Sequence, residues 1–288
     1  AFLANSYDLL GMLVVFCLTQ QHLTIMKRRR IFCLNSYFEK IQKSILARFS
    51  LVFQNNVDSV KKLLTSNLGT VDMRPHFITR RYAEFVASVM SLNVHFGEYE
   101  TTVKNLLMIL KNYMETLLTK LAATLGKKKR TVFLISNYDL ILSVLEEREI
   151  TSEEAASFRI MHSMEIKNFV EEELETYFQG LIGFVQKSDV NISDSTKIDS
   201  VLAEKLAKEF ASNWKNAIDS IQSNVMTFFS NFRTGSDILK QVLTQLMLYY
   251  SRFEDIIKKT CKNAPFRKDL VSISTLRFEI QKKLSDGY

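Results

Sequence analysis

Asp72-Met-Arg-Pro-His-Phe-Ile-Thr-Arg-Arg-Tyr-Ala-Glu-Phe85 decides the fold of this chain. Pro75 is one of only two prolines in 288 residues. Proline is tolerated in the first turn of a helix, where the missing N–H has no intrahelical partner to lose. After it, Ile78, Tyr82, Phe85, Val89 and Leu92 recur at helical spacing and share one face. Arg80 and Glu84 stand four apart on another face, where they can pair. The reading is an amphipathic helix with a basic first turn.

The same pattern extends over the rest of the chain. Two prolines and eight glycines leave long segments without a turn former, and 47% of residues are hydrophobic. Helices are predicted over about 6–26, 36–65, the Pro75 segment, a stretch after Gly97, 132–149, 151–187, 198–232 and 236–262. A short last helix is expected over 270–284. The stretch after Gly97 carries Tyr99, Val103, Leu106, Leu110, Tyr113, Leu117 and Leu121 on one stripe. Thr151-Ser-Glu-Glu154 has the form of a capping box. The seventh helix reads as the longest, with Leu206, Phe210, Trp214, Ile218 and Val225 in its stripe and Gly235 breaking it. Ser188 to Thr196 reads as a loop. No strand-like alternation, repeat or low-complexity tract occurs. The fold class is all-α, in stacked antiparallel helical bundles. The expected organisation is a first bundle over 1–126 and a second over 127–288.

Composition bounds the function. The three cysteines, Cys17, Cys33 and Cys261, offer no close pair for a disulfide framework, which fits a reducing compartment. The apolar run Leu9 to Leu18 is about half of what a membrane-spanning helix needs, so a core helix is expected. The net charge of +7 permits contact with an anionic membrane or an acidic partner. Two basic runs, Lys27 to Arg30 and Lys127 to Arg130, follow predicted helix ends, where the helix dipole favours cations. Contact of either run with lipid is the alternative reading. No aromatic residues interleave them, which argues against nucleic acid.

Catalytic and cofactor motifs are missing from the sequence. Gly126-Lys127 lacks both the upstream glycine and the following Ser or Thr of a phosphate-binding loop. His22, His76, His95 and His162 have no metal-ligand spacing with one another or with cysteine. No GxSxG elbow occurs. Glu146-Glu147 and Glu171-Glu172-Glu173 read as solvated helix faces. Asn191-Ile-Ser193 matches a glycosylation sequon by chance in a cytosolic chain. The expectation is a non-enzyme without cofactor or metal.

Beyond these patterns, RPHFITRRYAEF followed by VASVMSLN resembles the vacuolar protein sorting-associated protein 52 family. VFLISNYDLILSVLEER (Val132 to Arg148), NFRTGSDILKQVLTQLMLYYSRF (Asn231 to Phe253) and RFSLVFQNNVDSV (Arg48 to Val60) resemble it in the same order. That family supplies a subunit of the Golgi-associated retrograde protein complex and of a related recycling-endosome complex. The resemblance implies an elongated helical rod and a non-catalytic vesicle tether, acting in transport from endosomes to the trans-Golgi network. It implies sister subunits, a Golgi Rab GTPase of the Rab-six class in its GTP form, and SNARE proteins as partners. The location implied is the cytosolic face of the trans-Golgi network and endosomes, and the family's N-terminal coiled-coil region is expected to lie outside this chain. Partner contact is expected through Arg74, His76, Arg80 and Arg81 in the Pro75 segment and through Asn231 and Arg233. The plainer alternative is that Arg80, Arg81 and Tyr82 brace neighbouring helices. Asn137 and Tyr138 are expected to make a buried polar contact.

Overall fold

The computed structural model describes residues 5–66, 69, 71–92, 100–190, 200–260 and 264–285. Among them stand nine α-helices and one 3-10 turn, and no strand. The helices are α1 (Leu9–Arg28), α2 (Asn35–Thr65), α3 (Phe77–Leu92), α4 (Glu100–Ala122), α5 (Lys127–Glu147), α6 (Glu153–Val190), α7 (Ser200–Phe228), α8 (Phe232–Thr260) and α9 (Ile273–Ser285). The all-α expectation holds. Gly97, His95, Tyr99, the 191–196 part of the expected loop, the sequon at Asn191, Ile198 and Cys261 lie outside the described residues.

The chain divides into two compact units, 1–163 and 164–288. The expected boundary at Gly126 differs from this division, and the reason is packing. Helix α5 joins the first unit because it lies along α3 and α4. The division falls within α6, whose residues through Ser163 belong to the first unit.

In the first unit α1 packs on α2, α2 on α4, and α3 on α1, α4 and α5. Leu13, Phe16, Phe49, Phe53, Val89, Leu117 and Phe133 form one contiguous core. Helix α1 is long and apolar enough to cross a membrane by length and composition. It buries Leu9, Met12, Leu13, Phe16 and Cys17 in that core, and Leu23 further along. Asp8 caps it, accepting the Gly11 N–H at 2.9 Å.

Helix α3 has a wider buried face than its large residues announce. Thr79, Ala83 and Ala87, four apart, are buried beside Tyr82, Val86 and Val89. Small residues let two helix backbones approach closely, which is how a short helix packs against three others. Pro75 precedes the helix instead of sitting in its first turn, since α3 begins at Phe77.

The helix ends explain where the sequence misled. Helices α1 and α5 close on residues with positive φ, Arg30 at 59° and Glu149 at 55°. Each end makes the paired bonds of a Schellman motif. Ile31 N–H reaches Met26 C=O and Arg30 N–H reaches Lys27 C=O, while Ile150 reaches Leu145 and Glu149 reaches Glu146. Lys127 to Arg130 form the first turn of α5, with Gly126 at the N-cap. The expected favourable interaction with a helix C-terminus is therefore reversed, because these cations face the positive end of a dipole. The capping residue of α6 is Ser152, whose hydroxyl accepts from Ala155 N–H at 3.1 Å. Ala155 occupies the position where a capping box needs Glu, so the expected box at Thr151 does not form.

In the second unit α7 packs on α8 and α8 on α9. Aromatic rings join the helices: Phe178 to Phe210 at 5.5 Å, Phe210 to Tyr250 at 4.2 Å, and Phe184 to Phe253 at 5.5 Å. Such pairs add roughly 0.5–1.5 kcal/mol each beyond the area they bury. Helix α6 leaves helical geometry at Phe178. The kink there divides it into two helical segments, and α2 runs 31 residues against 29 for α7, so α7 is not the longest helix. Chain reversal between α7 and α8 occurs at 229–231, and Gly235 is buried inside the first turns of α8.

Three variants test these helix ends and contacts. Lys129→Glu puts an acid at the third position of α5, and we expect about 0.5 kcal/mol of added stability. Asn137→Leu, which removes the buried contact described next, should cost about 3 kcal/mol by leaving two donors unmet. Adding Thr79→Val to Asn137→Leu should recover about half of that. Urea unfolding followed by far-ultraviolet circular dichroism reads all three.

Candidate functional site

Asn137, fully buried on α5, holds the start of α3. Its side-chain oxygen accepts the His76 N–H at 2.9 Å and the Thr79 hydroxyl at 2.6 Å. Its amide donates to the Phe133 carbonyl at 2.8 Å, which fixes the side chain on its own helix. The expected buried polar contact at Asn137 is present. Tyr138, beside it, is buried with its ring 6.0 Å from Phe158. Tyr82 meets the same Phe158 edge-on at 6.1 Å. Tyr82 is thus a bracing residue, as the plainer alternative held.

His76 occupies the N-cap position of α3. Its carbonyl accepts from Thr79 N–H at 2.9 Å and its Nδ1 accepts from Ile78 N–H at 3.4 Å. Burial holds its imidazole below the ordinary value of 6.5. The neutral ring is the form that accepts at Nδ1.

This clasp places an exposed patch. Phe77 is 62% exposed. The His76 ring lies 4.5 Å from it, and the Arg81 guanidinium stands 5.5 Å over its face. Phe77, Arg80, Arg81 and Glu84 share one face of α3 by spacing. Arg80 reaches Glu84 at 4.0 Å, the expected pair. Glu84 has a stronger partner in Arg148, at 2.6 Å, which also donates to the Ser88 hydroxyl at 3.0 Å. Arg74 stands 3.7 Å from Asp72, with both side chains mostly exposed. Exposed pairs of this kind contribute about 0–1 kcal/mol, so Arg74 and Arg80 can turn to a partner at little cost.

Asn231 and Arg233 lie in the second unit, at the start of α8 and not at the end of the longest helix. Asn231 is the N-cap, accepting Arg233 N–H at 3.1 Å on its side chain and Gly235 N–H at 2.9 Å on its carbonyl. Phe232 and Arg233 are exposed beside it.

Sequence reasoning passed over two residues. Phe77 falls off the buried stripe of α3, and a large apolar residue off the stripe was the available signal. Glu173 was read as part of a solvated acidic face and is fully buried, accepting from Asn224 at 3.0 Å. Asn224 also donates to the Tyr177 hydroxyl at 2.9 Å. Only its partner on α7 distinguishes Glu173 from its neighbours, and no local pattern reveals that partner.

A cleft of 740 Å³ lies beside Met90, Lys104, Arg148 and Glu153. Its cations are paired, Lys104 with Glu100 at 2.6 Å and Arg148 with Glu84. Among the described residues no group of three His, Cys, Asp or Glu side chains is placed to hold a metal ion. What α3 presents at its surface is an exposed aromatic ring with the Arg81 guanidinium over its face.

The His76 geometry predicts an acid response. The folded protein resists protonation of His76, whereas the unfolded chain takes the proton near 6.5. Stability is therefore present above that pH and is lost as pH falls through it. His76→Asn keeps a capping side chain and removes the titration. Melting temperatures between pH 7.5 and 5.5 (both about) should fall less steeply in His76→Asn, and an equal slope counts against the assignment.

Comparison with known proteins places the chain. A family model described as "Vps52, C-terminal" matches residues 1–170. Vacuolar protein sorting-associated protein 52 A of Arabidopsis thaliana is 37% identical over 288 residues, covering 97% of this chain and 40% of that protein. The Homo sapiens vacuolar protein sorting-associated protein 52 homolog is 33% identical over 98% of this chain and 40% of its own length. The Caenorhabditis elegans homolog is 30% identical over 97% of this chain and 42% of its own length. This chain spans about two fifths of the length of these relatives. With more than half of its residues matched by the family model, the chain belongs to the Vps52 family.

Proposed function

We propose that the chain is a non-catalytic part of a vesicle-tethering subunit, acting in retrograde transport from endosomes to the trans-Golgi network. The relatives are named as vacuolar protein sorting-associated proteins, and membership of their family supports a sorting role. The observation that carries the binding mechanism is the exposed Phe77 ring between His76 and Arg81, on a helix start locked by Asn137. Interface hot spots are dominated by aromatic and arginine side chains held in place before the partner arrives. We assign to this patch the GTP form of a Golgi Rab GTPase, with Arg74 and Arg80 at the rim. Sister subunits and SNAREs engage other faces, among them the exposed Phe232 and Arg233 of the second unit. The working location is the cytosolic face of the trans-Golgi network and endosomes.

A pull-down of this chain with the GTPase in both nucleotide states tests the reading. Binding should be selective for GTP. Phe77→Ala and Arg81→Glu should each weaken it by about 2 kcal/mol, or some thirtyfold. Both side chains are exposed, so neither change threatens the fold. Equal binding to the two nucleotide states, absence of binding, or indifference to Phe77→Ala overturns the assignment.

A further inference from the structure

Lys27-Arg-Arg-Arg-Ile-Phe-Cys-Leu34 joins α1 to α2, and all eight residues are exposed. Four cations are followed directly by four apolar residues. The helix dipole accounts for Lys27 and Arg28 in the last turn of α1, but no folding argument asks for the exposed apolar residues that follow. Phe32 is 60% exposed, and Tyr37, one turn into α2, is 59% exposed. Val14, Leu18 and Ile25 continue the apolar surface along the outward side of α1. Their spacing puts them on one stripe, opposite the buried Met12, Phe16 and Leu23.

Charge is as one-sided as hydrophobicity. Between Asp8 and Glu39 the sequence has no acidic residue. No ion pair engages any of the four cations among the described residues.

Arg30 adds a third observation. It holds the left-handed position of the Schellman turn, at φ 59°. Glycine is favoured there, because any Cβ is strained in that conformation. Arginine there costs the turn some stability and adds a fourth exposed cation to the run.

We propose that the α1–α2 corner is a membrane-contacting tip that inserts Ile31, Phe32 and Leu34 among the headgroups of an anionic bilayer. Charge complementarity selects the occupant. A cationic run next to exposed aliphatic and aromatic side chains matches the boundary between anionic headgroups and acyl chains. The apolar groups enter the boundary while the guanidinium groups stay with the phosphates. The second basic run, Lys127 to Arg130, has no comparable apolar partner sequence: it is followed by Thr131 and by the buried Val132 and Phe133. The proposal is independent of the GTPase assignment, since it uses a different surface and a different readout.

The test is co-sedimentation of this chain with vesicles of phosphatidylcholine alone or with added phosphatidylserine. Partition should require the anionic lipid and weaken as salt rises. Each cation near such a surface contributes roughly fivefold, so Arg28→Glu with Arg29→Glu should lower partition by more than about tenfold. Phe32→Ser should remove the part of binding that persists at high salt. Arg30→Gly separates the fold from the function, because it should raise the melting temperature and lower partition roughly fivefold. No sedimentation at low salt overturns the proposal. So does equal partition into neutral vesicles, or binding that survives every corner variant and is lost on reversing Lys127 to Arg130.

Discussion

The first unit depends on one buried amide. Asn137 joins two segments 61 residues apart by accepting both the His76 N–H and the Thr79 hydroxyl. A helix start leaves its first N–H groups without partners, and a buried one must find them elsewhere. For α3 the His76 N–H finds its acceptor on α5, while the Ile78 and Thr79 N–H groups turn back to His76 itself. That bond sets where α3 begins and how it is turned. It fixes which side chains face inward, Thr79 and Tyr82, and which face out, Phe77 and Arg81. The exposed patch is therefore a consequence of a core contact. Its rigidity comes from below, from a polar group whose loss would leave two donors unmet.

Elsewhere charge sits where stability alone would place something different. Arg30 and Glu149 occupy left-handed turn positions that suit glycine. Lys127, Lys128 and Lys129 crowd the positive end of α5. Each choice costs on the order of 1 kcal/mol or less. Natural chains accept such costs at surfaces that serve recognition more readily than in the core. The core itself keeps to the rules, with large aliphatic and aromatic side chains and few buried polar groups.

Much of the fold was legible because hydrophobic periodicity and the scarcity of proline and glycine are local signals. The span of α2 and the pairing of Arg80 with Glu84 followed from spacing alone. What spacing did not resolve was where one helix yields to the next. Gly126 and Gly235 both look like breaks. One is an N-cap and the other lies buried inside α8, and the difference is tertiary. The basic run after Gly126 was attached to the wrong helix for the same reason. The boundary of the first unit was hidden because it depends on α5 packing against α3, a contact between segments far apart in sequence. Of the candidate site, the arginines and His76 could be named from the sequence. Phe77 was passed over although it falls off the buried stripe, because spacing shows that it is off the stripe but not that His76 and Arg81 stand beside its ring. Glu173 was hidden by its neighbours, two further glutamates that share its local pattern.

The aromatic packing of the second unit has a spectroscopic consequence. The chain contains a single tryptophan, Trp214. It is buried in α7, with its ring parallel to Phe210 at 6.5 Å. Its emission therefore reports the loosening of residues 164–288 and leaves the first unit dark. A fluorescence melt can follow a single smooth curve while the Asn137 clasp opens earlier or later, unseen. Agreement between probes is the test of two-state unfolding, and in this chain one of the usual probes samples only half of the molecule.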